Sequence, residues 1–301
     1  MAGKILVVGS LHLDVIVHSS RLPKPDETLL GDKVSYRFGG KGGNQALAAA
    51  KIDVQVFMAG RIGTDNFGKQ IYDTLSNQNI NLDGLKIVDE ATGMSVALIG
   101  SDGIYSAVVV SGANQTIELS EIAVPDDLTV LVLQNEINTD ANFEIIKKVP
   151  KSTFVILNAA PALTPNKDFF ERIDLLIVNQ LEAKMLLNEE PSIFNNLDAL
   201  RKLQNLGPKE VIITLGAEGY TGISKNGEIF SEPGIKVDVL STHGAGDSFV
   251  GTLAAFICKG EPINIAAQYA QASSALHVKT PIDQREKILQ ADIENMFSLN
   301  Q

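Results

Sequence analysis

The sequence contains no tryptophan and only one cysteine among its 301 residues. A single thiol excludes an internal disulfide framework. That cysteine, Cys258, follows the apolar run Gly251–Ile257, so we predict a buried structural thiol and not a nucleophile.

Long apolar runs and runs of basic residues are also missing. No apolar stretch approaches the roughly 20 residues that a bilayer span needs, and the formal net charge is -11. An acidic chain is not attracted to nucleic acid or anionic membranes. We therefore expect neither partner and predict a cytoplasmic location. Main-chain amides at a helix start could still bind a local anion.

Short β-branched runs alternate with helical or alanine-rich stretches along most of the chain. This alternation predicts a single α/β domain over residues 1–301, with a central, mainly parallel sheet and helices on both faces. The predicted strands are Ile5–Val8, Val54–Met58, Val130–Leu133, Phe154–Leu157, Leu175–Val178 and Val211–Thr214.

Two segments, Val15–Phe38 and Leu85–Val110, interrupt the alternation. In the second, Met94–Ile99 and Tyr105–Val110 flank the turn signal Ser101-Asp102-Gly103, which predicts a hairpin. Parts of 15–38 and 85–110 could therefore form a small antiparallel sheet that acts as a lid.

The C-terminal part is predicted to be helical. Glycine and proline separate three candidate helices, Ala245–Lys259, Ile263–His277 and Asp283–Phe297.

The segment 242–249, Thr-His-Gly-Ala-Gly-Asp-Ser-Phe, leads from an extended stretch into the first of these helices. Its small residues let a ligand approach the free amides of the first turn, where the helix dipole favours an anion. Asp247 lies in that turn. It could act as a base beside the anion, or it could only cap the helix, which is worth about 0.5–2 kcal/mol.

A second glycine cluster, 39–45, reads Gly-Gly-Lys-Gly-Gly-Asn-Gln and runs into Ala46–Ala50. It could supply bare amides, a cation and an amide side chain at another helix start. Glycine follows Lys41, so the cluster is not a P-loop, and its spacing is not that of a dinucleotide fold. Tight packing alone is the other explanation for its glycines.

Together the two segments resemble the signature regions of the ribokinase-like carbohydrate kinases. Further segments resemble that family in the same order, so the similarity covers nearly the whole chain. They are Gly9–Asp14, Asn135-Glu136, Asn158–Ala162, Asn179–Glu182 and Thr214–Gly219.

The resemblance implies that the protein transfers the γ-phosphate of ATP to a hydroxymethyl group of a small sugar, a ribose-like pentose or related carbohydrate. Asp247 then matches the general base. The amides of Gly244, Ala245 and Gly246 match the anion hole.

The resemblance also places the sugar and nucleotide sites. The family's sugar-binding positions are His12, Asp14, Gly40, Lys41, Asn44 and Glu136, and its nucleotide-binding positions are Asn179, Thr214, Gly216, Gly219 and Gln271. Glu182 matches a carboxylate that binds Mg²⁺ through water. Asn179 and Glu182 also have the spacing of a helix capping box.

This sequence departs from the family's pattern at two positions. His12 replaces the asparagine usual in ribokinases, which leaves the sugar open; a solvated surface histidine is the alternative there. Ser241 replaces an aspartate with which many members bind a monovalent cation, so we predict weak or absent potassium activation.

The resemblance also bears on the oligomeric state and on alternative functions. In relatives the lid often pairs between subunits, so a homodimer is expected. A nucleoside kinase of the same family and a catalytically silent relative that binds sugar or nucleotide remain alternatives. A Rossmann oxidoreductase is excluded because Gly9-Ser10-Leu11 follows the first strand without the glycine fingerprint.

Overall fold

The structure is a computed structural model, and it describes residues 3–101, 104–163, 166–189 and 195–300. Its strands are β1 (Lys4–Val8), β2 (His12–Ser19), β3 (Gly31–Gly39), β4 (Gln55–Gly63), β5 (Ile80–Val88), β6 (Met94–Gly100), β7 (Tyr105–Val110), β8 (Leu128–Gln134), β9 (Phe154–Asn158), β10 (Leu175–Asn179), β11 (Glu210–Thr214), β12 (Tyr220–Ile223) and β13 (Ile229–Glu232). Its α-helices are α1 (Lys41–Ala49), α2 (Asn66–Ser76), α3 (Thr139–Lys148), α4 (Lys167–Phe170), α5 (Gln180–Leu187), α6 (Asn196–Gln204), α7 (Ala245–Cys258), α8 (Ile263–Lys279) and α9 (Gln290–Ser298).

A large sheet of nine strands forms the centre of the molecule. Its order is β13-β12-β11-β10-β9-β8-β1-β4-β5. The strands from β11 to β5 pair in parallel, and β12 and β13 add an antiparallel edge. The predicted mainly parallel sheet is thus confirmed.

Helices cover both faces of this sheet. Along β1, Ile5 and Val7 pack on the side of α1, α2, α7, α8 and α9, whereas Leu6 and Val8 pack on the side of α3 to α6. Successive strand residues point to opposite faces, so a strand buried on both faces needs an unbroken apolar run. Cys258 is buried at the end of α7, as predicted, and burial raises its pKa to about 11.

A second, smaller sheet has the order β3-β2-β6-β7. The expected hairpin is the antiparallel pair β6–β7, although Asp102 and Gly103 of its turn lie outside the described residues. The expected small sheet is confirmed, with antiparallel pairs β2–β3 and β6–β7 and one parallel pair between β2 and β6. Leu85–Val88 belongs to β5 at the edge of the large sheet.

The predicted helix Asp283–Phe297 is divided in two. A short 3-10 helix, Ile282–Lys287, precedes α9. In the described residues, no helix is both long and apolar enough to cross a membrane.

Helices α1 and α7 approach closely at Gly251. A Cβ atom at this position would lie 2.7 Å from the Cβ of Ala48 and would also meet the main chain of Gln45. Glycine therefore sets the distance between the two helices.

We predict that Gly251→Ala destabilises the protein. Alanine gains about 1 kcal/mol in helix propensity, but overpacking costs about 1–3 kcal/mol. Urea unfolding should show a lower free energy for Gly251→Ala and a lower value still for Gly251→Ser. An alanine variant as stable as the wild type would contradict the close approach.

Candidate active site

Polar side chains gather where adjacent parallel strands end. Gln134 ends β8, Asn158 ends β9 and Asn179 ends β10, and these strands are neighbours in the sheet. Ligands of open α/β sheets bind at this edge. Helix α7 also begins at this edge. Its residue Asp247 accepts hydrogen bonds from α1, and α1 in turn contacts the end of β9.

The start of α7 requires glycine. Gly244 precedes the helix with φ 77°, in the left-handed region, and a Cβ atom there would lie 3.1 Å from Nε2 of His277. No side chain caps this helix start within the described chain. The capping explanation for Asp247 is therefore wrong.

The carboxylate of Asp247 instead accepts hydrogen bonds from helix α1. Nδ2 of Asn44 donates to Oδ2 at 3.3 Å, and Nε2 of Gln45 donates to Oδ1 at 3.0 Å. Asp247 is only 9% exposed. Two amide groups thus hold a buried carboxylate at the tip of α7.

Two buried side-chain amides at the strand ends hold the side chain of Gln45 in place. Its Nε2 also donates to Oδ1 of Asn158 at 3.1 Å, and its Oε1 accepts from Nε2 of Gln134 at 2.8 Å. Sequence reasoning gave no role to Gln45 or Gln134. Glutamine is common enough that only the folded contact distinguishes these two.

The pKa of Asp247 is raised to about 6. Burial is the largest cause, and Glu136 raises the pKa further, whereas Lys41, Gln45 and Asn44 lower it. A carboxyl group with a pKa near the working pH is suited to accept a proton.

Lys41 and Glu136 lie beside Asp247. The main-chain amide of Lys41 donates to Oε2 of Glu136 at 3.0 Å, as does the hydroxyl of Ser10 at 2.5 Å. Burial alone would lower the pKa of Lys41, but Asp247, Glu136 and Glu182 together raise it. The ammonium group therefore stays charged in this site.

The expectation of bare amides in the glycine cluster 39–45 is wrong for Lys41 and Gly43. The amide of Lys41 is bonded to Glu136, and the amide of Gly43 donates to the carbonyl of Ser10 at 3.0 Å. A Cβ atom on Gly42 would lie 2.6 Å from the carbonyl carbon of Gly9. Close packing accounts for this glycine, and Gly40, whose φ is 88°, precedes α1.

His12 and Asp14 come from β2 of the small sheet. His12 is 4% exposed, so the surface alternative is wrong. Its Nε2 has no hydrogen-bond partner among the described residues. Burial lowers the pKa of His12, although Glu136 and Asp14 act in the opposite direction. Oδ2 of Asp14 lies 3.4 Å from Nε2 of His243.

The three amides expected to form an anion hole are not equivalent. The amide of Ala245 donates to the carbonyl of Thr242 at 3.1 Å, so it is already used. Within the described residues, the amides of Gly244 and Gly246 have no protein acceptor. Gly246 faces open space, since a Cβ atom there would meet nothing within 4 Å.

Asn179 and Glu182 form the predicted capping box. The side chain of Asn179 accepts from the amide of Glu182 at 2.9 Å, and Oε2 of Glu182 accepts from the amide of Asn179 at 2.8 Å. Burial raises the pKa of Glu182, and Asn179 and Lys41 lower it. Glu182 is thus close enough to feel the charge of Lys41.

The remaining predicted residues lie farther along the sheet. Thr214 ends β11, and Gly216 and Gly219 bound the short turn that follows it. Gly219 packs against the main chain of 232–234, and Nε2 of Gln271 donates to the carbonyl of Pro233 at 2.6 Å. A cavity of about 730 Å³ lies between Gln271 and the segment 232–236.

Comparison with known proteins identifies the family of this chain. The model of the pfkB family carbohydrate kinases matches residues 2–287. A ribokinase of Schizosaccharomyces pombe is 32% identical over 91% of this chain and 92% of its own length. A deoxyribokinase of Salmonella typhi is 28% identical over 91% and 92%.

Solved structures show the same fold. The ribokinase of Arabidopsis thaliana complexed with ribose and ATP superimposes with a TM-score of 0.89 at 28% identity, covering 99% of both chains. The family match and the fold agree over nearly the whole length. The chain therefore belongs to the pfkB family of carbohydrate kinases, enzymes that transfer a phosphate group to a sugar.

Proposed function

We propose that the enzyme transfers the γ-phosphate of ATP to a hydroxymethyl group of a ribose-like pentose or related sugar, with Asp247 as the general base. The observation that carries this proposal is the buried carboxylate of Asp247 with its pKa raised to about 6, in the same helix turn as the unpaired amides of Gly244 and Gly246. The Arabidopsis relative, solved with ribose and ATP, supports both substrates.

The acceptor is bound by groups that match a polyol. The carboxylates of Asp14 and Glu136 accept hydrogen bonds from hydroxyls, and Lys41 and Asn44 donate. Nε2 of His12, buried and without a partner in the described chain, adds another polar atom. Gly40, whose φ is 88°, lies directly against the main chain of residues 10–12. A side chain at this position would separate the start of α1 from that segment.

The phosphate groups are bound at the tip of α7. The amides of Gly244 and Gly246 stabilise the charge that develops on the transferred group, and the helix dipole adds to this. The positioned ammonium of Lys41 faces the same charge. Asp247 takes the proton from the acceptor hydroxyl, so that its oxygen attacks the γ-phosphorus while the bond from this phosphorus to the leaving ADP breaks.

The nucleotide lies along Thr214, Gly216 and Gly219, with Gln271 beside the base. Described residues contain no group of three or more potential metal ligands from His, Cys, Asp and Glu. Mg²⁺ keeps several of its waters and is usually bound through one or two carboxylates. Glu182 would hold it through water, with Asn179 orienting that carboxylate. The ion would neutralise phosphate charge.

The small sheet is proposed as the lid that closes over the acceptor and excludes water. Its outer strand β7 exposes Val108, Val109 and Val110, and β3 exposes Val34 and Tyr36. An exposed apolar strand of this kind favours pairing with a second copy. Cytoplasmic location stays a prediction.

The acceptor and the base are tested together. In a coupled ATP-consumption assay across pentoses, hexoses and nucleosides, we expect turnover with a pentose. Asp247→Asn should lower kcat by about 10²–10⁴-fold, with ATP affinity nearly unchanged. Asp168→Asn, an exposed aspartate in the first turn of α4, is the matched control.

If Asp247→Asn retains more than about a tenth of the wild-type kcat, Asp247 is not the base. A positioned base contributes about 10²-fold or more to the rate, so its loss would lower kcat further than this. Turnover with nucleosides only would favour the nucleoside kinase. No turnover with any acceptor would favour a silent relative.

The pKa of Asp247 also predicts a pH profile. Below about pH 6 the carboxyl group is protonated and cannot accept a proton, so kcat/KM should fall about tenfold per pH unit. The folded protein favours the protonated form, so this group does not destabilise the fold on acidification. Circular dichroism should show an intact fold in that window. An acidic limb near the ordinary value of about 4 would contradict the shift.

Light scattering tests the proposed dimer. We expect a mass of twice the chain for the wild type and a single-chain mass for Val109→Lys. A monomeric wild type at the concentration of the kinetic assay would contradict pairing through the lid.

A further inference from the structure

Arg285 is a buried arginine that the proposed mechanism does not use. It lies in the 3-10 helix after α8 and is 8% exposed. In the described part of the chain, no carboxylate lies within ion-pair distance of it. Burying a charge without a counter-ion is costly unless its donors are satisfied by other polar groups.

Main-chain carbonyls satisfy the guanidinium of Arg285. Nη2 donates to the carbonyl of Ser241 at 2.9 Å, Nη1 to that of His243 at 2.8 Å, and Nε to that of Thr280 at 3.2 Å. Three carbonyl oxygens thus surround one guanidinium group, which is a cation. In this protein the cation is part of the chain.

His277 completes this arrangement. Its Nε2 lies 2.8 Å from Nη1 of Arg285, and burial lowers its pKa to about 4. Nε2 also lies 2.9 Å from the carbonyl oxygen of His243, so according to its tautomer the neutral imidazole accepts from Arg285 or donates to this carbonyl. The same nitrogen packs under Gly244 at the start of α7.

These contacts join three elements of the active site. Ser241 and His243 lie in the segment that enters α7, and Thr280 follows the last residue of α8. Nζ of Lys51, beyond the end of α1, donates to the carbonyl of Arg285 at 2.9 Å. One residue therefore ties the start of α7 to α8 and α1.

We propose that Arg285 is a positioning residue, a tethered cation that holds the 241–244 segment so that the amides of Gly244 and Gly246 and the carboxylate of Asp247 keep their geometry. The proposal rests on the function proposed above. Because the guanidinium occupies the converging carbonyls, the enzyme needs no free monovalent cation there.

Removing the guanidinium should impair transfer more than binding. Arg285→Ala should lower kcat by about 10²-fold, the scale of a misplacement of about 1 Å, with a smaller change in the KM for ATP. Arg285→Lys keeps one charge but loses the planar guanidinium group, so its kcat should lie between those of the wild type and Arg285→Ala. Arg201→Ala, an exposed arginine on α6, is the matched control.

Chemical rescue separates positioning from general stability. Millimolar guanidinium or potassium chloride should restore much of the kcat of Arg285→Ala. Tetramethylammonium chloride, too bulky for the site, should not. The wild type and Arg201→Ala should show equal rates in all three salts. Several-fold potassium activation of the wild type, or no rescue of the variant, would overturn the proposal.

Hydrogen exchange tests the same idea without turnover, and so independently of the proposed reaction. The amides of Ala245 and Ser248, which bond to Thr242 and Gly244, should exchange faster in Arg285→Ala, while α3 is unchanged. If that variant does not fold, Arg285→Lys should show the same local increase. Unchanged exchange in a folded variant would overturn the proposal, whether or not any sugar is phosphorylated.

Discussion

The candidate active site is organised around one buried carboxylate. Asp247 lies at the tip of α7 and is held by the amides of Asn44 and Gln45 from α1. A carboxylate withdrawn from water is tolerated only when donors surround it. The two helices must therefore pack closely, and Gly251 allows this by bringing α7 against the main chain of α1.

Burial of Asp247 has both a structural and a chemical consequence. It requires a chain of amides, from Gln134 through Gln45, which extends the support to the strand ends. It also raises the pKa of the carboxyl group, while Lys41 limits the rise. A group fully exposed at the same helix tip would be an aspartate of ordinary acidity and a weaker base.

The glycine clusters at the starts of α7 and α1 are similar in composition but have different roles. At the start of α7, Gly244 and Gly246 leave amides unpaired and open to a ligand. At the start of α1, Glu136 and Ser10 accept from the amides of Lys41 and Gly43, and Gly42 allows close packing against Gly9. Arg285 adds a fixed positive charge behind the first of these sites.

The sequence by itself determined the α/β class, the central strands β1, β4, β8, β9, β10 and β11, and the two segments that meet at Asp247, because strand periodicity and glycine next to a helix start are local properties of the chain. It missed β5, β12 and β13 at the two edges of the sheet. It did not determine the parallel pairing of β2 and β6, which joins strands far apart in sequence.

Nor did the sequence show that Gln45, His277 and Arg285 belong to the site. Their side chains become informative only through partners that are distant in the chain, such as Asn158 for Gln45 and Ser241 for Arg285. Tertiary structure decided these contacts, since burial and convergence of polar groups exist only after the sheet and helices have packed.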